Sequence, residues 1–240
     1  MARGKRMGSA ARRRWLGAGG LLVGLLAIAA WWQAGAWMPE RATFPIQGIE
    51  HSASDGAINF AALKADGADF VYLRASDGAK RRDTMFAADL AKAREAGLQV
   101  GAILRFDPCA DAGPQAAQFV TTVPRDAALL PPAIDLDLDD PKCAALPAEA
   151  AMASELTTLL NQVEAHAGRP AILKLSRGFE KRYRVAGMVE RTIWATGGWW
   201  PLDGYLAPGY AGRPWVMWTA NPRLRSPASD ERLHWVVVRP

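Results

Sequence analysis

Short runs of β-strand character alternate with segments whose apolar residues recur at helical spacing. The strand-like runs that precede a predicted helix cover residues 48–52, 69–75, 98–104, 130–138 and 170–175. The predicted helices that follow them cover residues 58–65, 83–96, 113–123, 148–167 and 177–183. Regular alternation of strand and helix implies parallel strands in one sheet, with the helices packed against it.

Three more strand-like runs complete the chain, and no helix is predicted between them. They cover residues 191–195, 214–219 and 234–238, and the loops that separate them are rich in Gly, Pro and Trp. The total is eight strands, and eight strands of this kind imply a closed barrel. We therefore predict an α/β fold in one domain, a TIM-like (β/α)5(β)3 barrel over residues 46–240.

The N-terminal segment has a different composition from the rest of the chain. Residues 1–14 carry six basic side chains and no acidic one, and residues 15–37 carry no formal charge. The uncharged run is long enough to span a bilayer, and the basic flank favours the cytoplasmic side. We predict a single-pass inner-membrane protein with a transmembrane helix at 15–37, a linker at 38–45 and a periplasmic barrel. A cleaved signal peptide is the alternative.

The positive charge of the chain comes from its N-terminus. The chain has 29 Lys and Arg residues against 24 Asp and Glu residues, a formal net charge of +5. Six of the basic residues precede residue 15, so the rest of the chain has 23 basic and 24 acidic residues. A barrel with this balance has no basic stripe for nucleic acid, and we expect no nucleic-acid partner.

Residues 130–140, LPPAIDLDLDD, combine an apolar run with four aspartates. Because side chains alternate along a strand, Asp135 and Asp137 are expected on one face, roughly 6–7 Å apart along the chain. Two carboxylates so close can differ in pKa and divide the roles of proton donor and charge stabiliser. Glycoside hydrolysis needs such a pair. A solvated acidic strand end or a cation site is the alternative.

Polar and aromatic side chains also stand where other strands of the predicted barrel end. They are Glu50, Asp77, Arg105, Lys174, Trp194, Trp218 and His234. The chemistry of such barrels lies at the carboxyl ends of the strands, so we predict that these residues line a substrate-binding mouth. Indole faces suit stacking on sugar rings. The alternative for the tryptophans is packing in the core or in loops.

The sequence contains two cysteines, Cys109 and Cys143, and they follow the third and fourth predicted strands. The two loops leave the same rim of the barrel from neighbouring strands. In an oxidising compartment a pair of cysteines is more often bridged than free. We predict a Cys109–Cys143 disulfide that braces the loop beside Asp137, with a free pair as the alternative.

Five motifs follow one another along the barrel segment. They are GIEHS (48–52), FVYLRASDG (70–78), AREAGLQVGA (93–102), QAAQFV (115–120) and LPPAIDLD (130–137). In order and spacing they resemble glycoside hydrolase family 25, the barrel N-acetylmuramidases or lysozymes. The family's corresponding motifs include Gly-Ile-Asp-x-Ser, Phe-x-Tyr-x-Arg-Ala-Thr/Ser-Glu-Gly and Leu-Pro-Pro-x-x-Asp-x-Glu. The resemblance extends from about residue 48 to residue 238.

Several site positions depart from the pattern of that family. Glu50 stands where the family has aspartate, and Asp137 stands where it has glutamate. Lys174 replaces a tyrosine, and His234 replaces an aspartate. Asp135 is the central carboxylate that matches the family unchanged.

The resemblance implies cleavage of the β-1,4 bond between N-acetylmuramic acid and N-acetylglucosamine in the peptidoglycan of the cell wall. Asp137 would protonate the leaving oxygen. Asp135 would stabilise the developing positive charge or orient the substrate's N-acetyl group, with Glu50 opposite. No metal or cofactor is implied, because carboxylates stabilise the charge. The alternatives are a degenerate barrel that binds peptidoglycan without cutting it, and a membrane-anchored wall or division scaffold.

Overall fold

The computed structural model describes residues 9–138, 145–197 and 213–240. The chain divides into two units, residues 1–37 and residues 38–240. The first unit contains helix α1, Ser9–Gly35. Within the described residues, no helix is both long enough and apolar enough to cross a membrane. The transmembrane helix expected at 15–37 is therefore not supported by the structure and stays a prediction.

The second unit is built around one sheet of nine strands that closes on itself. The strands are β1 (Ile46–His51), β2 (Phe70–Asp77), β3 (Arg81–Arg82), β4 (Gln99–Arg105), β5 (Ala133–Leu136), β6 (Ile172–Leu175), β7 (Thr192–Ala195), β8 (Met217–Ser226) and β9 (Ser229–Val238). Their order is β1-β9-β8-β7-β6-β5-β4-β2-β3, and an additional pairing of β1 with β2 closes a ring of eight strands. The predicted α/β barrel is confirmed.

The direction of the strands follows from what connects them. From β1 through β2, β4, β5, β6 and β7 to β8, neighbouring strands in the ring are parallel. Strand β9 is antiparallel to both β8 and β1, because it returns from β8 through a tight hairpin. The two-residue strand β3, which the sequence did not predict, pairs antiparallel with the end of β2.

Six further helices accompany the strands in the described part of the second unit. They are α2 (Phe60–Ala65), α3 (Phe86–Glu95), α4 (Ala112–Thr122), α5 (Glu149–Ala167), α6 (Arg177–Tyr183) and α7 (Val185–Met188). The side chain of Asn59 accepts a hydrogen bond from Ala62 N–H, and Ser176 caps α6 in the same way. Helix α5 ends at Ala167, and Gly168 after it adopts the left-handed conformation that favours glycine.

The lower part of the barrel interior is apolar. It contains Phe70, Tyr72, Ile103, Ala133, Ile172, Trp194, Met217 and Val236, all of them buried. Two glycines give the aromatic rings their space, because a Cβ at Gly48 would collide with Phe70 and a Cβ at Gly101 with Tyr72. Side chains two positions further towards the mouth point into the same interior, so this layer supports the residues above it.

Candidate active site

Four side chains from distant parts of the sequence meet above the apolar layer. Asp135 follows Ala133 by two positions on β5, and Lys174 follows Ile172 by two positions on β6. Asp135 and Lys174 are paired in register, and so are Glu50 of β1 and His234 of β9. The strand period therefore brings these four residues, named here the mouth cluster, to the carboxyl end of the parallel strands.

Lys174 connects the two carboxylates of the mouth cluster. Its Nζ lies 2.8 Å from Oε1 and 2.7 Å from Oε2 of Glu50, and 3.3 Å from Oδ2 of Asp135. Glu50, Asp135 and Lys174 are each at most 7 % exposed. Three ionisable groups can be buried so deeply only because each one faces opposite charge.

Burial and charge act on the pKa of each member of this group. Burial opposes ionisation of Glu50, but the Lys174 ammonium and the contact with His234 outweigh it and hold the pKa of Glu50 well below its ordinary value. Burial raises the pKa of Asp135 against the opposing effect of Lys174, and the charge of Glu50 raises it further. Burial alone would lower the pKa of Lys174, yet the charges of Asp135 and Glu50 raise it. We infer ionised Glu50 and protonated Lys174 at neutral pH.

His234 forms the outer end of the cluster. Its Nδ1 lies 2.7 Å from Oε1 of Glu50, while its side chain is 43 % exposed. Lys174 Nζ thus lies within 2.8 Å of both Glu50 oxygens, and His234 Nδ1 lies close to Oε1. Oε2 has the ion-pair contact with Lys174 but no hydrogen-bond partner among the described residues. A carboxylate bound in this way is fixed in place and poorly suited to attack a substrate.

Asp137 differs from the three buried members of the cluster. It follows the last residue of β5 and is intermediate in exposure, whereas Asp135 is buried. One of its oxygens accepts a hydrogen bond from Leu138 N–H at 2.7 Å. Asp137 is therefore the more exposed of the two aspartates at this end of the barrel.

Arg74 is a charged member of this region that the sequence analysis did not select. It lies on β2 two positions beyond Tyr72, and its Nε is buried with no hydrogen-bond partner among the described residues. Its charge acts on the pKa of both Asp135 and Lys174. The signal was present in FVYLRASDG, since the strand period places Arg74 on the inward face with Tyr72.

The two tryptophans predicted to bind substrate are buried. Trp194 is 0 % exposed and donates its indole N–H to Thr219 Oγ1 at 2.9 Å. Trp218 is 2 % exposed and packs against Phe44 and Trp215. Neither indole offers a face for stacking on a sugar, so the predicted role is not supported. The Lys174 ammonium lies 5.7 Å from the centre of the Trp194 ring, so Trp194 supports the cluster from below.

The remaining predicted site residues lie at one side of the mouth. Asp77 and Arg105 are paired in register at the ends of β2 and β4, and Asp77 forms an ion pair with Arg81. Arg105 is also in register with Asp135. Cys109 is disulfide-bonded, and Cys143, its predicted partner, lies outside the described residues. No group of three or more His, Cys, Asp and Glu side chains in the described residues could hold a metal ion.

A barrel of mostly parallel strands, with two aspartates at the carboxyl end of one strand and a buried carboxylate opposite, suits glycoside hydrolysis. The profile of the family described as Glycosyl hydrolases family 25 matches residues 49–218. This match covers more than half of the chain, and the chain belongs to that family.

The sequence of the chain is similar to that of a known lysozyme. The chain is 26 % identical over 177 residues to Lysozyme M1 of Streptomyces globisporus, a match that covers 69 % of this chain and 53 % of that protein. The chain thus spans about half the length of that curated relative.

Solved structures show the same fold at lower identity. A family 25 glycosyl hydrolase from Bacillus anthracis superposes with a TM-score of 0.74 at 22 % identity, covering 85 % of this chain and 92 % of that one. The bacterial lysozyme from Streptomyces coelicolor superposes with a TM-score of 0.69 at 20 % identity, covering 81 % and 92 %.

Proposed function

We propose that the protein is an N-acetylmuramidase that cleaves the β-1,4 bond between N-acetylmuramic acid and N-acetylglucosamine in peptidoglycan. The observation that carries the proposal is the pair formed by Asp135 on β5 and Asp137 just after it, one buried and one partly exposed, in a family 25 barrel. The different surroundings suit the two carboxylates to different roles. Family membership and the names of the similar lysozymes support the same activity.

Asp137 is the proton donor in this mechanism. It lies at the mouth, where a general acid must come within hydrogen-bond distance of the leaving oxygen. An aspartate is one methylene shorter than the glutamate of the family, and a misplacement of about 1 Å can cost on the order of a hundredfold in rate. Asp137→Glu should therefore raise the turnover rate if reach is limiting; an unchanged or lower rate would count against this explanation.

Asp135 stabilises positive charge beside the reacting carbon, directly or by orienting the substrate's N-acetyl group. It must be ionised for either role; burial raises its pKa and so opposes ionisation, and the ammonium of Lys174 at 3.3 Å acts in the opposite direction. The buried position excludes much of the water that would weaken this electrostatic stabilisation. Glu50 acts through Lys174, because its own oxygens are engaged by Lys174 and His234.

Digestion of purified peptidoglycan tests the proposal. Residues 41–240 are incubated with the wall, and the released fragments are analysed by mass spectrometry for the sugar at each new reducing end. The proposal predicts muramic acid at the reducing ends, and their loss with Asp137→Asn. Reducing ends of N-acetylglucosamine, or equal release by the variant, would contradict it.

A glycan-binding barrel without catalysis is the second candidate, and one observation favours it. The ammonium of Lys174 contacts both Glu50 and Asp135, so it neutralises charge that a transition state would otherwise use. Co-sedimentation of the protein with peptidoglycan, without release of any fragment, would support this function over the first. Release of muramic-acid ends would exclude it.

We also propose that the N-terminal segment places the barrel on the periplasmic side of the inner membrane. The basic residues 1–14 and the uncharged residues 15–37 support this orientation. Membrane fractionation and protease accessibility in spheroplasts test it. Protein in the membrane fraction with a protease-accessible barrel is expected for an anchor. A mature N-terminus beyond residue 37 would indicate a cleaved signal peptide, and a protected barrel would contradict the proposal.

A further inference from the structure

A cleft of about 420 Å³ with charged side chains in its lining opens beside the mouth, between the β2–β3 hairpin and the loop from β4 to α4. The hairpin contributes Asp77, Lys80 and Arg81 to its lining, and the loop contributes Asp107, Cys109 and Ala110. The cleft lies at the carboxyl ends of β2 and β4, the same end of the barrel as the mouth cluster. The mechanism proposed above does not use it.

Both walls of the cleft are fixed by bonds of their own. Arg81 pairs in register with Asp77 and also forms an ion pair with it. On the opposite wall, Gln115 Nε2 donates to the carbonyl oxygens of Asp107 and Ala110, both at 2.9 Å, and its Oε1 accepts from Asp107 N–H at 2.8 Å. Cys109 in the same wall is disulfide-bonded. A ligand therefore meets a preformed site, which lowers the entropic cost of binding.

The charges at the cleft suit a ligand that carries both signs. Asp77 and Arg81 neutralise each other. Lys80 is exposed, and no carboxylate of the described residues forms an ion pair with it. The Asp107 carboxylate accepts a hydrogen bond from Cys109 N–H at 2.9 Å. No Lys, Arg or His side chain of the described residues forms an ion pair with it. One ammonium and one carboxylate thus stay available on opposite walls.

We propose that this cleft binds the zwitterionic end of a peptidoglycan stem peptide, with its carboxylate on Lys80 and its ammonium on Asp107. The proposal rests on the proposed muramidase function and names the substrate class that the site prefers. Strand register supports the placement, since Arg105 pairs with Asp77 on one side and with Asp135 on the other. The cleft therefore borders β4, the strand next to the one that carries Asp135, and lies beside a sugar held over Asp135. An uncrosslinked diaminopimelate side chain, with an amine and a carboxylate on one carbon, has the required charges.

Calorimetric binding of defined peptides tests the two contacts separately. The probe is N-acetyl-L-alanyl-D-glutamyl-meso-diaminopimelyl-D-alanine, compared with one form amidated at the free diaminopimelate carboxylate and one acetylated at its amine. Lys80→Gln should weaken the unmodified probe about threefold to fivefold and leave the amidated probe unchanged. Asp107→Asn keeps the oxygen that accepts from Cys109 N–H. It should weaken binding of the unmodified probe by a similar factor and leave binding of the acetylated probe unchanged. Lys64→Gln on α2 is the matched control and should change nothing.

Equal affinity of the three probes for the unaltered protein, or equal losses for all probes in either variant, would overturn the proposal. Hydrolysis separates this failure from failure of the muramidase function. The proposal predicts that Lys80→Gln slows cleavage of stem-bearing glycan strands but not of strands stripped of their peptides. If the unaltered protein cleaves both strands and the variant changes neither rate, the cleft proposal alone is wrong. If the unaltered protein cleaves neither strand, the muramidase function is wrong, and peptide binding still decides the role of the cleft.

Discussion

The interior of the barrel has two layers built by the same strands, and they differ in chemistry. On β6, Ile172 lies in the lower layer and Lys174 in the upper, and on β5 Ala133 and Asp135 divide in the same way. The lower layer is apolar and close-packed, and the upper layer carries ion pairs with distances of 2.7–3.3 Å. A step of two residues therefore separates the layer that stabilises the fold from the layer to which we assign the chemistry.

The difference indicates where each kind of substitution acts. Removing apolar volume from the lower layer costs both transfer free energy and a cavity. In the upper layer, the burial of three charged groups costs desolvation, and their mutual attraction opposes that cost. We expect upper-layer changes to alter activity and its pH dependence, and lower-layer changes to alter stability with little effect on the chemistry.

The largest effect is expected at the open edge of the upper layer. Asp137→Asn removes the proposed proton donor and should lower the rate of peptidoglycan cleavage by about 10²- to 10⁴-fold. The melting temperature should change little, because Asp137 is only partly buried. Rate and thermal unfolding are measured on the same preparation, and a matching loss of stability would show that the residue is structural.

A deletion in the lower layer should give the reverse pattern. Phe70 is 2 % exposed and packs against Tyr72 with ring centres 5.9 Å apart. Phe70→Ala should reduce the free energy of unfolding in urea by about 3–5 kcal/mol. The turnover rate per folded molecule should stay close to that of the unaltered protein at low temperature. A loss of turnover without a loss of stability would contradict the assignment of stability to the lower layer and chemistry to the upper layer.

The pH dependence of cleavage tests the coupling within the upper layer. Burial raises the pKa of Asp135, and the proposed role requires its ionised form. As pH decreases, activity should therefore begin to fall at a higher pH than it would with an ordinary aspartate. Lys174 lowers that pKa, so Lys174→Met should move the acid limb of kcat/KM to still higher pH. Lys174→Arg keeps the charge and is the control. A shift to lower pH in Lys174→Met would contradict the assigned coupling.

The smallest effect is expected for a surface ion pair. Arg184 Nη2 lies 3.1 Å from Glu149 Oε1, with side chains 75 % and 44 % exposed. Water and salt screen such a pair, so Glu149→Gln should change the free energy of unfolding by at most about 1 kcal/mol. Urea titration at low and high salt measures it, and a cost comparable to that of Phe70→Ala would remove the contrast between core and surface.

Much of the fold could be predicted because strand and helix periods are local. The helices at 148–167 and 113–123 differ from the observed bounds by one residue at one or both ends. Strand β3 was missed because two exposed arginines carry no apolar pattern, and its pairing depends on the neighbouring end of β2. The antiparallel direction of β9 depends on a hairpin that extends both β8 and β9 beyond the predicted runs.

The site could be predicted only in part, because its contacts join residues far apart in the chain. The sequence selected Glu50, Asp135, Lys174 and His234, but it did not specify that Lys174 contacts both carboxylates across 124 and 39 positions. Tryptophan composition indicated sugar stacking, whereas three-dimensional packing buries Trp194. Whether an aromatic residue is core or surface depends on neighbours that a single sequence does not show.

The division of labour between Asp135 and Asp137 is the central claim, and the leaving group of the substrate tests it most directly. A 4-nitrophenyl β-glycoside of an N-acetylated sugar oligomer needs little help from a general acid, because its leaving group is stable as an anion. Asp137→Asn should then lower the rate of peptidoglycan cleavage at least about a hundredfold but lower the rate on the nitrophenyl substrate far less. Asp135→Asn should lower the rate on both substrates. Equal losses on the two substrates in Asp137→Asn would contradict the claim.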